Sequence, residues 1–221
     1  MIRGAIFDID GVLLDSMGIW EDLGARYLQS MGLVPEEGLN EILFSMSMEQ
    51  GADYLKSHYM PDISSGEILQ GIQNMLEKFY FEEVILKPGA KEIMEFLKER
   101  GIRMAAATSS PRIHVERALG RNGLLKYPEA IFTTGELMVS KQSPKIYNIA
   151  AAAIGTKPDE TIVFEDSLYA LKTARSAGFK VIGVYDAKGE KDQEGLRETA
   201  DIYLTGPEEF FKNTDRLFRT E

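Results

Sequence analysis

Asp8 and Asp10 flank Ile9 at the end of a short apolar run, and Gly11 follows them directly. Two later apolar runs end in groups of a complementary kind, Thr108-Ser109-Ser110 after one and Glu165-Asp166 after another, while Lys141 stands just before a helical pattern. Carboxylates delivered from two separate strand ends make an all-oxygen cage of the sort Mg²⁺ prefers, completed by waters and substrate phosphate oxygens. Left without a cation they repel, and each raises the pKa of the other, so an ionised cluster needs a metal or a lysine to hold it. Lys141 is placed to supply that charge. Phosphoryl transfer uses these parts: a nucleophile in line, a metal bridging nucleophile and phosphate, hydroxyls and amides on the equatorial oxygens, and a proton donor for the leaving group. Asp8 as nucleophile would form an aspartyl-phosphate, and Asp10 would protonate the leaving alcohol and later take a proton from water. Gly11 would let the backbone turn tightly and come close to a bound anion.

Each part also has a plain structural reading. Asp-x-Asp-Gly is a common turn, Thr108-Ser109-Ser110 before Pro111 is an ordinary helix start with proline at the first helical position, and Glu165-Asp166 serves equally as a helix cap. A solitary lysine is normally solvated. What favours one site is their order and their positions: in an open parallel sheet, ligands sit beyond the carboxyl ends of the strands.

The elements that would position them can be traced along the chain. Ile2 to Phe7 is expected to be a buried strand. From residue 16 to 86 the pattern turns helical: Trp20, Leu23, Tyr27, Leu28 and Met31 share one face closed by Gly32, and Ile68, Ile72, Met75, Leu76 and Phe79 repeat it. Weaker helical stretches lie at Glu37 to Phe44 and Met48 to His58, and Ser64-Ser65-Gly66 marks a turn between helices. After Lys87-Pro88-Gly89 strand and helix alternate. Ala90, Ile93, Met94 and Leu97 mark a helix stopped at Gly101, and apolar runs at 102–107, 130–133, 162–164, 181–184 and 201–204 read as strands. Between them Ile146, Ile149, Ala150, Ala153 and Ile154 form one stripe, and Leu168 to Ala177 ends at Gly178. The expectation is an α/β fold: a Rossmann-like parallel sheet with helices on both faces, formed by 1–15 and 87–221, with an all-helical cap inserted at 16–86. No internal repeat or low-complexity tract is present.

The 221 residues carry 25 Lys and Arg against 35 Asp and Glu, a formal net charge of −10, with 44% hydrophobic residues and no cysteine. That composition is globular, and it removes disulfides, thiolate metal sites and cysteine nucleophiles. An acidic surface repels phosphodiester backbones and anionic lipid heads, so neither nucleic acid nor membrane is an expected partner, and a small molecule is. The first apolar run is broken by Asp8 and is too short for a signal peptide or a membrane span, which reads as cytoplasmic. The expected state is a monomer or small homo-oligomer.

Taken in order, these motifs resemble the haloacid dehalogenase-like superfamily, in the subgroup with a helical cap after the first motif. The likeness covers nearly the whole chain. The first motif reads Asp8-Ile9-Asp10-Gly11-Val12-Leu13-Leu14-Asp15-Ser16, the second Ala106-Ala107-Thr108-Ser109-Ser110, the third Lys141 and the fourth Glu165-Asp166. The resemblance implies that Asp8 is nucleophile and Mg²⁺ ligand, that Asp10 is the acid/base with a metal-ligating carbonyl, and that Asp166 is a further ligand with Glu165 beside the metal. It implies that Thr108 and the Ser109 amide hold phosphate oxygens, and that Lys141 offsets charge between Asp8 and phosphate. A carboxylate at Asp10 disfavours carbon-halogen and phosphonate cleavage, which have no alcohol leaving group to protonate.

A phosphatase and a β-phosphoglucomutase-like mutase then remain, with a non-catalytic phosphate- or partner-binding protein as a third reading. The mutase's cap histidine aligns with Trp20 and its cap arginine with Met48, in Phe44-Ser45-Met46-Ser47-Met48; without that arginine a distal phosphate loses its grip, which favours a phosphatase of small phosphorylated metabolites such as sugar phosphates. The third motif departs from the usual spelling: Ser140-Lys141-Gln142-Ser143-Pro144-Lys145 makes Lys145 a rival, though Pro144 three residues on favours Lys141. Ser16, Gly11, Ser109, Ser110, Arg112 and Trp20 complete the substrate-side expectation. Arg112 stands between substrate contact and surface ion pair, and Trp20 between helix core and an apolar wall of the cleft. His58 and His114 have no histidine partner at metal-site spacing.

Overall fold

In the computed structural model residues 1–44 and 46–218 are described, with the Phe44 side chain left aside. Ser45, inside the stretch aligned with the mutase arginine, lies outside the described residues. The chain divides into two compact units, Met1–Asp15 with Val84–Glu221, and Ser16–Glu83.

The first unit is built on six parallel strands: β1 (Gly4–Phe7), β2 (Arg103–Thr108), β3 (Ala130–Thr133), β4 (Thr161–Glu165), β5 (Lys180–Val184) and β6 (Ile202–Leu204), in the order β3-β2-β1-β4-β5-β6. β1 and β4 are buried along their whole length, as a parallel strand covered on both faces must be. The first strand is shorter than the apolar run predicts, because it begins only where Gly4 pairs with both Arg103 and Thr161.

Alternation along the strands sorts the two faces. Ile6, Ala105, Ala107, Val163 and Val181 pack with Ile146, Tyr147, Ala150, Ala151, Ile154, Leu171 and Ala174, which come from the helices at Lys145–Ala153 and Leu168–Ser176. On the opposite face Phe7 and Phe164 stack with ring centroids 4.4 Å apart, and Phe210 lies 6.0 Å from Phe164. Asp8 and Glu165 continue the parity of Ile6 and Val163, so both turn toward the first of these faces. The stripe in the Lys145–Ala153 helix runs through 146, 147, 150, 151 and 154, not 149 and 153; Ala153 is exposed. Four consecutive alanines carry no phase information, and the tyrosine ring decides which side goes in.

The helical unit comprises α1 (Gly18–Ser30), α2 (Leu39–Phe44), α3 (Met48–His58) and α4 (Ser65–Lys78), followed by a π turn at Phe79–Glu83. α3 and α4 each start with a reciprocal capping box, Ser47 with Gln50 and Ser64 with Glu67. Gly32 sits at φ +75° just past α1, the left-handed conformation that ends helices. The buried face of α1 is Ile19, Leu23, Tyr27 and Leu28. Trp20 is therefore not a core residue: it is 39% exposed, Met31 is 47% exposed, and Ile19 takes the place expected for Trp20. Residues 84–87 run beside the first motif in the sheet unit, with Asp15 N–H donating to Ile85 O at 2.9 Å and Lys87 N–H to Leu13 O at 3.0 Å. Among the described residues no helix is long and apolar enough to cross a membrane.

Candidate active site

β1, β2 and β4 are neighbours, and in register Phe7 lies opposite both Ala106 and Phe164. The next residues along, Asp8 and Glu165, therefore leave adjacent strands at the same level, and the Asp8 N–H closes the pairing on Phe164 O at 2.9 Å. Lys141, in the turn before the Lys145–Ala153 helix, reaches between them: its Nζ lies 2.7 Å from Asp8 Oδ2 and 2.7 Å from Glu165 Oε1. Ligand oxygens of Asp8, Glu165 and Asp166 fall within 4.8 Å of one another, and all three residues are buried. Asp8 Oδ1 also accepts from the Ile9 N–H at 2.7 Å, which fixes the carboxylate's orientation.

A second group stands beside the first motif. Ser110 Oγ donates to Asp10 Oδ2 at 2.6 Å, and the Ser110 N–H donates to Thr108 Oγ1 at 3.1 Å. The loop 108–110 thus ties Asp10 to the end of β2. Gly11 adopts φ +72°, as the tight turn requires, and its N–H donates to Leu14 O at 3.0 Å, so that amide serves the turn. Pro111 is the N-cap of the next helix, Arg112–Arg121, and not its first residue, since its ψ of 138° is extended.

Burial pushes the Asp8 carboxyl well above its ordinary value; Lys141 pulls the other way, and Glu165 and Asp166 add to the rise. Asp166 is pushed up to about 7, by burial first and by Glu165 next. Burial works against the charge on Lys141, but Asp8 and Glu165 together hold its pKa above the usual value. The cluster therefore carries more acid than one ammonium can offset. An all-oxygen set of three buried carboxylates with surplus negative charge fits a hard divalent cation.

The sequence model of the haloacid dehalogenase-like hydrolases matches residues 5–184. The chain belongs to that family. A phosphorylated carbohydrates phosphatase of Thermotoga maritima is 28% identical over 216 residues, covering 94% of this chain and 96% of its own length. Hexitol phosphatase A of Escherichia coli is 29% identical over 184 residues, 82% of each chain. Among solved structures, a Thermotoga maritima protein described as a candidate beta-phosphoglucomutase has a TM-score of 0.85 at 26% identity, covering 98% of this chain and 100% of its own. This haloacid dehalogenase-like hydrolase is an enzyme of the phosphatase kind.

The structure also sorts the rival readings of single residues in this hydrolase. Lys141 is 3% exposed and bridges two carboxylates, whereas Lys145 is exposed at the start of its helix. Lys141→Met is expected to lower kcat by about 10²-fold or more, since it strips the charge held against Asp8, while Lys145→Met leaves steady-state rates within about twofold. Equal losses in the two variants would remove the distinction, and a loss confined to Lys145→Met would exchange their roles. Arg112 is held in ion pairs: Nε and Nη2 bind Glu136 at 2.6 and 2.7 Å, Nη1 reaches Glu116 at 3.1 Å, and Nη2 also donates to Ile131 O at 2.7 Å. Ser16 and Trp20 belong to the helical unit, Ser16 buried and Trp20 half-exposed.

Sequence reasoning did not find Tyr147 or Asp186. Tyr147 OH donates to Glu165 Oε1 at 2.7 Å, and burial, then Glu165, raises its pKa, so the hydroxyl stays a donor. Asp186 is 4% exposed and bonds Lys87 Nζ at 2.7 Å. The strand-end rule would have found it had it been applied to β5 as well.

Proposed function

We propose that the protein is a Mg²⁺-dependent phosphatase of small phosphorylated metabolites, sugar phosphates in particular, working through a phosphoryl group carried on Asp8. The observation that carries this reading is the Asp8–Lys141–Glu165 bridge with Asp166 alongside. It sets one oriented carboxylate among neighbours suited to a cation. Asp8, Glu165 and Asp166 would hold the Mg²⁺, together with the backbone carbonyl of Asp10. Bound there, the ion supplies positive charge that lets an anionic nucleophile and an anionic phosphate approach.

Asp8 attacks phosphorus in line, the bond from phosphorus to the sugar oxygen breaks, and Asp10 gives its proton to the departing alkoxide. Asp10 then removes a proton from water as the water attacks the phosphoryl group, which frees Asp8 and inorganic phosphate. Ser110 fixes Asp10 for both transfers through the 2.6 Å bond. Thr108 and the Ser109 amide would hold phosphate oxygens, and Lys141 offsets the charge of Asp8 throughout. Of the expected substrate-side residues, Gly11 acts by shaping this turn, while Ser16 and Trp20 belong to the helical unit that we take as the specificity cap.

The substrate class follows the relatives, one a phosphatase of phosphorylated carbohydrates and one a hexitol phosphatase. Within the helical unit, Trp20 and Met48, the two positions aligned with the mutase histidine and arginine, line a single cavity with Leu23, Leu43, Leu55 and Ile72. Among the described residues lining it there is no lysine or arginine. Such a cavity offers no fork for a second phosphate, which supports hydrolysis over return of the phosphoryl group to the sugar.

A panel of sugar and polyol phosphates assayed for phosphate release, with and without Mg²⁺, tests the reading. Release that depends on Mg²⁺ is expected, with sugar monophosphates among the better substrates. Conversion of β-glucose 1-phosphate to glucose 6-phosphate in the presence of a bisphosphate primer, without free phosphate, would establish the mutase instead.

A further inference from the structure

The end of β5 carries a loop that lies against the fourth motif and is held there by contacts that the reaction described above does not use. Lys87 Nζ, from the segment preceding the Ala90–Glu99 helix, donates to Asp186 Oδ2 at 2.7 Å and to Tyr185 O at 2.8 Å. The other oxygen of Asp186 accepts from the Lys188 N–H at 2.8 Å. Gln193 Nε2 ties the two ends of the loop, reaching Glu190 O at 2.6 Å and Asp186 O at 3.2 Å, and is itself held by Tyr203 OH through Oε1 at 2.6 Å. Asp186 is buried and paired, so the anchor is rigid and not a solvated surface charge.

From that anchor the loop meets the acidic cluster at two points. Gly189 lies so near Asp166 that a Cβ built on it would stand 3.1 Å from Asp166 Oδ2 and 3.2 Å from Asp186 Cβ. Glu190 Oε2 accepts the Leu168 N–H at 2.9 Å. Leu168 is the first residue of the helix that follows Asp166, and its N-cap, Ser167, makes no side-chain cap bond. The orphan amide of that helix is satisfied from 22 residues away. Ser167 Oγ turns instead toward Glu165 Oε2 at 3.4 Å. The 186–190 loop therefore borders Asp166 twice: Gly189 beside its carboxylate, and Glu190 on the Leu168 amide two residues beyond it.

We propose that this loop is a strap that positions Asp166 for the metal, with Gly189 and Glu190 as positioning residues and the Lys87–Asp186 pair as its anchor. The inference rests on the reading of Asp166 as a metal ligand. Groups that orient a ligand without touching the ion commonly change metal affinity by about 10–100-fold when replaced. A methyl at Gly189 asks the Asp166 carboxylate or the strap to give by a few tenths of an ångström, and Glu190→Ala leaves the Leu168 amide to water and frees the turn at 166–168. Glu190→Gln keeps an oxygen acceptor for that amide while giving up the charge and the second acceptor, Oε1, which takes the Asp192 N–H at 3.0 Å.

The test is Mg²⁺ titration of the metal-free full-length protein by calorimetry, for wild type, Gly189→Ala, Glu190→Ala, Glu190→Gln and Asp166→Asn, with thermal midpoints measured without metal. Gly189→Ala and Glu190→Ala are expected to weaken Mg²⁺ binding about tenfold, with Glu190→Gln within about twofold of wild type. At saturating Mg²⁺, KM for p-nitrophenyl phosphate should stay near the wild-type value in all three strap variants, because neither Gly189 nor Glu190 is among the residues read as holding substrate. Unchanged Mg²⁺ affinity in Gly189→Ala and Glu190→Ala overturns the strap. So does an equal loss in Glu190→Gln, in which the Leu168 amide keeps its acceptor. Should Gly189→Ala fail to fold, the Glu190 pair decides alone. Asp166→Asn separates the two levels: if it binds Mg²⁺ as wild type does, the ligand reading falls and the strap with it; if it loses Mg²⁺ while the strap variants do not, only the strap falls.

Discussion

Asp8→Asn is expected to lower turnover of any phosphate ester at saturating Mg²⁺ by about 10⁴-fold or more, the scale on which loss of a nucleophile acts in other hydrolases. The change is nearly isosteric, and the local contacts survive it. The Asn carbonyl still accepts from the Ile9 N–H, and Lys141 keeps Glu165 at 2.7 Å, so no buried ammonium is stranded. One of three crowded carboxylates disappears, and the repulsion that burial makes costly disappears with it. The variant should therefore fold, with a metal-free thermal midpoint equal to or above that of wild type. Acid quenching of wild type during turnover should trap phosphoryl-enzyme that hydroxylamine cleaves, as an acyl phosphate requires, and none in the variant. A variant that hydrolyses p-nitrophenyl phosphate at the normal rate would remove Asp8 from the chemistry.

This expectation can be stated from sequence because the residues that bear it sit where topology and chemistry coincide. Asp8 and Glu165 each follow an apolar run, and a parallel sheet forces such residues to one edge. Lys141 is different: nothing in its neighbourhood says that it will be buried, and only the order of motifs singles it out. Pro144 three residues on favours it over Lys145, and the fold turns the first lysine inward and leaves the second exposed at a helix start.

The two helix misses share a physical cause, which is phase. In α1 the adjacent apolar residues Ile19 and Trp20 both fit a helical stripe, and packing chose the smaller one. In the helix at Lys145–Ala153 the run of alanines leaves the inward side undetermined, and the stripe through Ile149 and Ala153 passes over Tyr147, whose ring is buried and whose hydroxyl reaches Glu165. Pro111 fits both the N-cap and the first helical position, because its φ suits either and only ψ separates them. Asp186 stands just past β5, within reach of the strand-end rule, but what holds it there is not legible in the sequence. Its importance comes from a partner, Lys87, 99 residues away, and such pairings are set by tertiary structure alone.

Removal of the divalent cation should bring phosphate release to background, and the pH dependence of what the cation contributes follows from the two raised carboxyls. In the metal-free native state Asp166 keeps its proton up to about 7, against an ordinary value of 3.8, and Asp8 is shifted the same way. Between those limits the native state binds more protons than the unfolded chain. Stability from these groups is thus fully present below about pH 4 and is lost as pH rises toward about 7. Cation binding runs the other way, because the ligands must be deprotonated, so each proton displaced makes affinity rise by up to about tenfold per pH unit across the same window. The two trends diverge. The thermal midpoint gained on adding Mg²⁺ should be small near about pH 5.5 and large near about pH 8, with proton release measurable by calorimetry in buffers of different ionisation enthalpy. A gain that is flat across this range, or that shrinks as pH rises, would mean that the cation does not bind by displacing protons from Asp8 and Asp166, and the metal centre would have to be sought elsewhere.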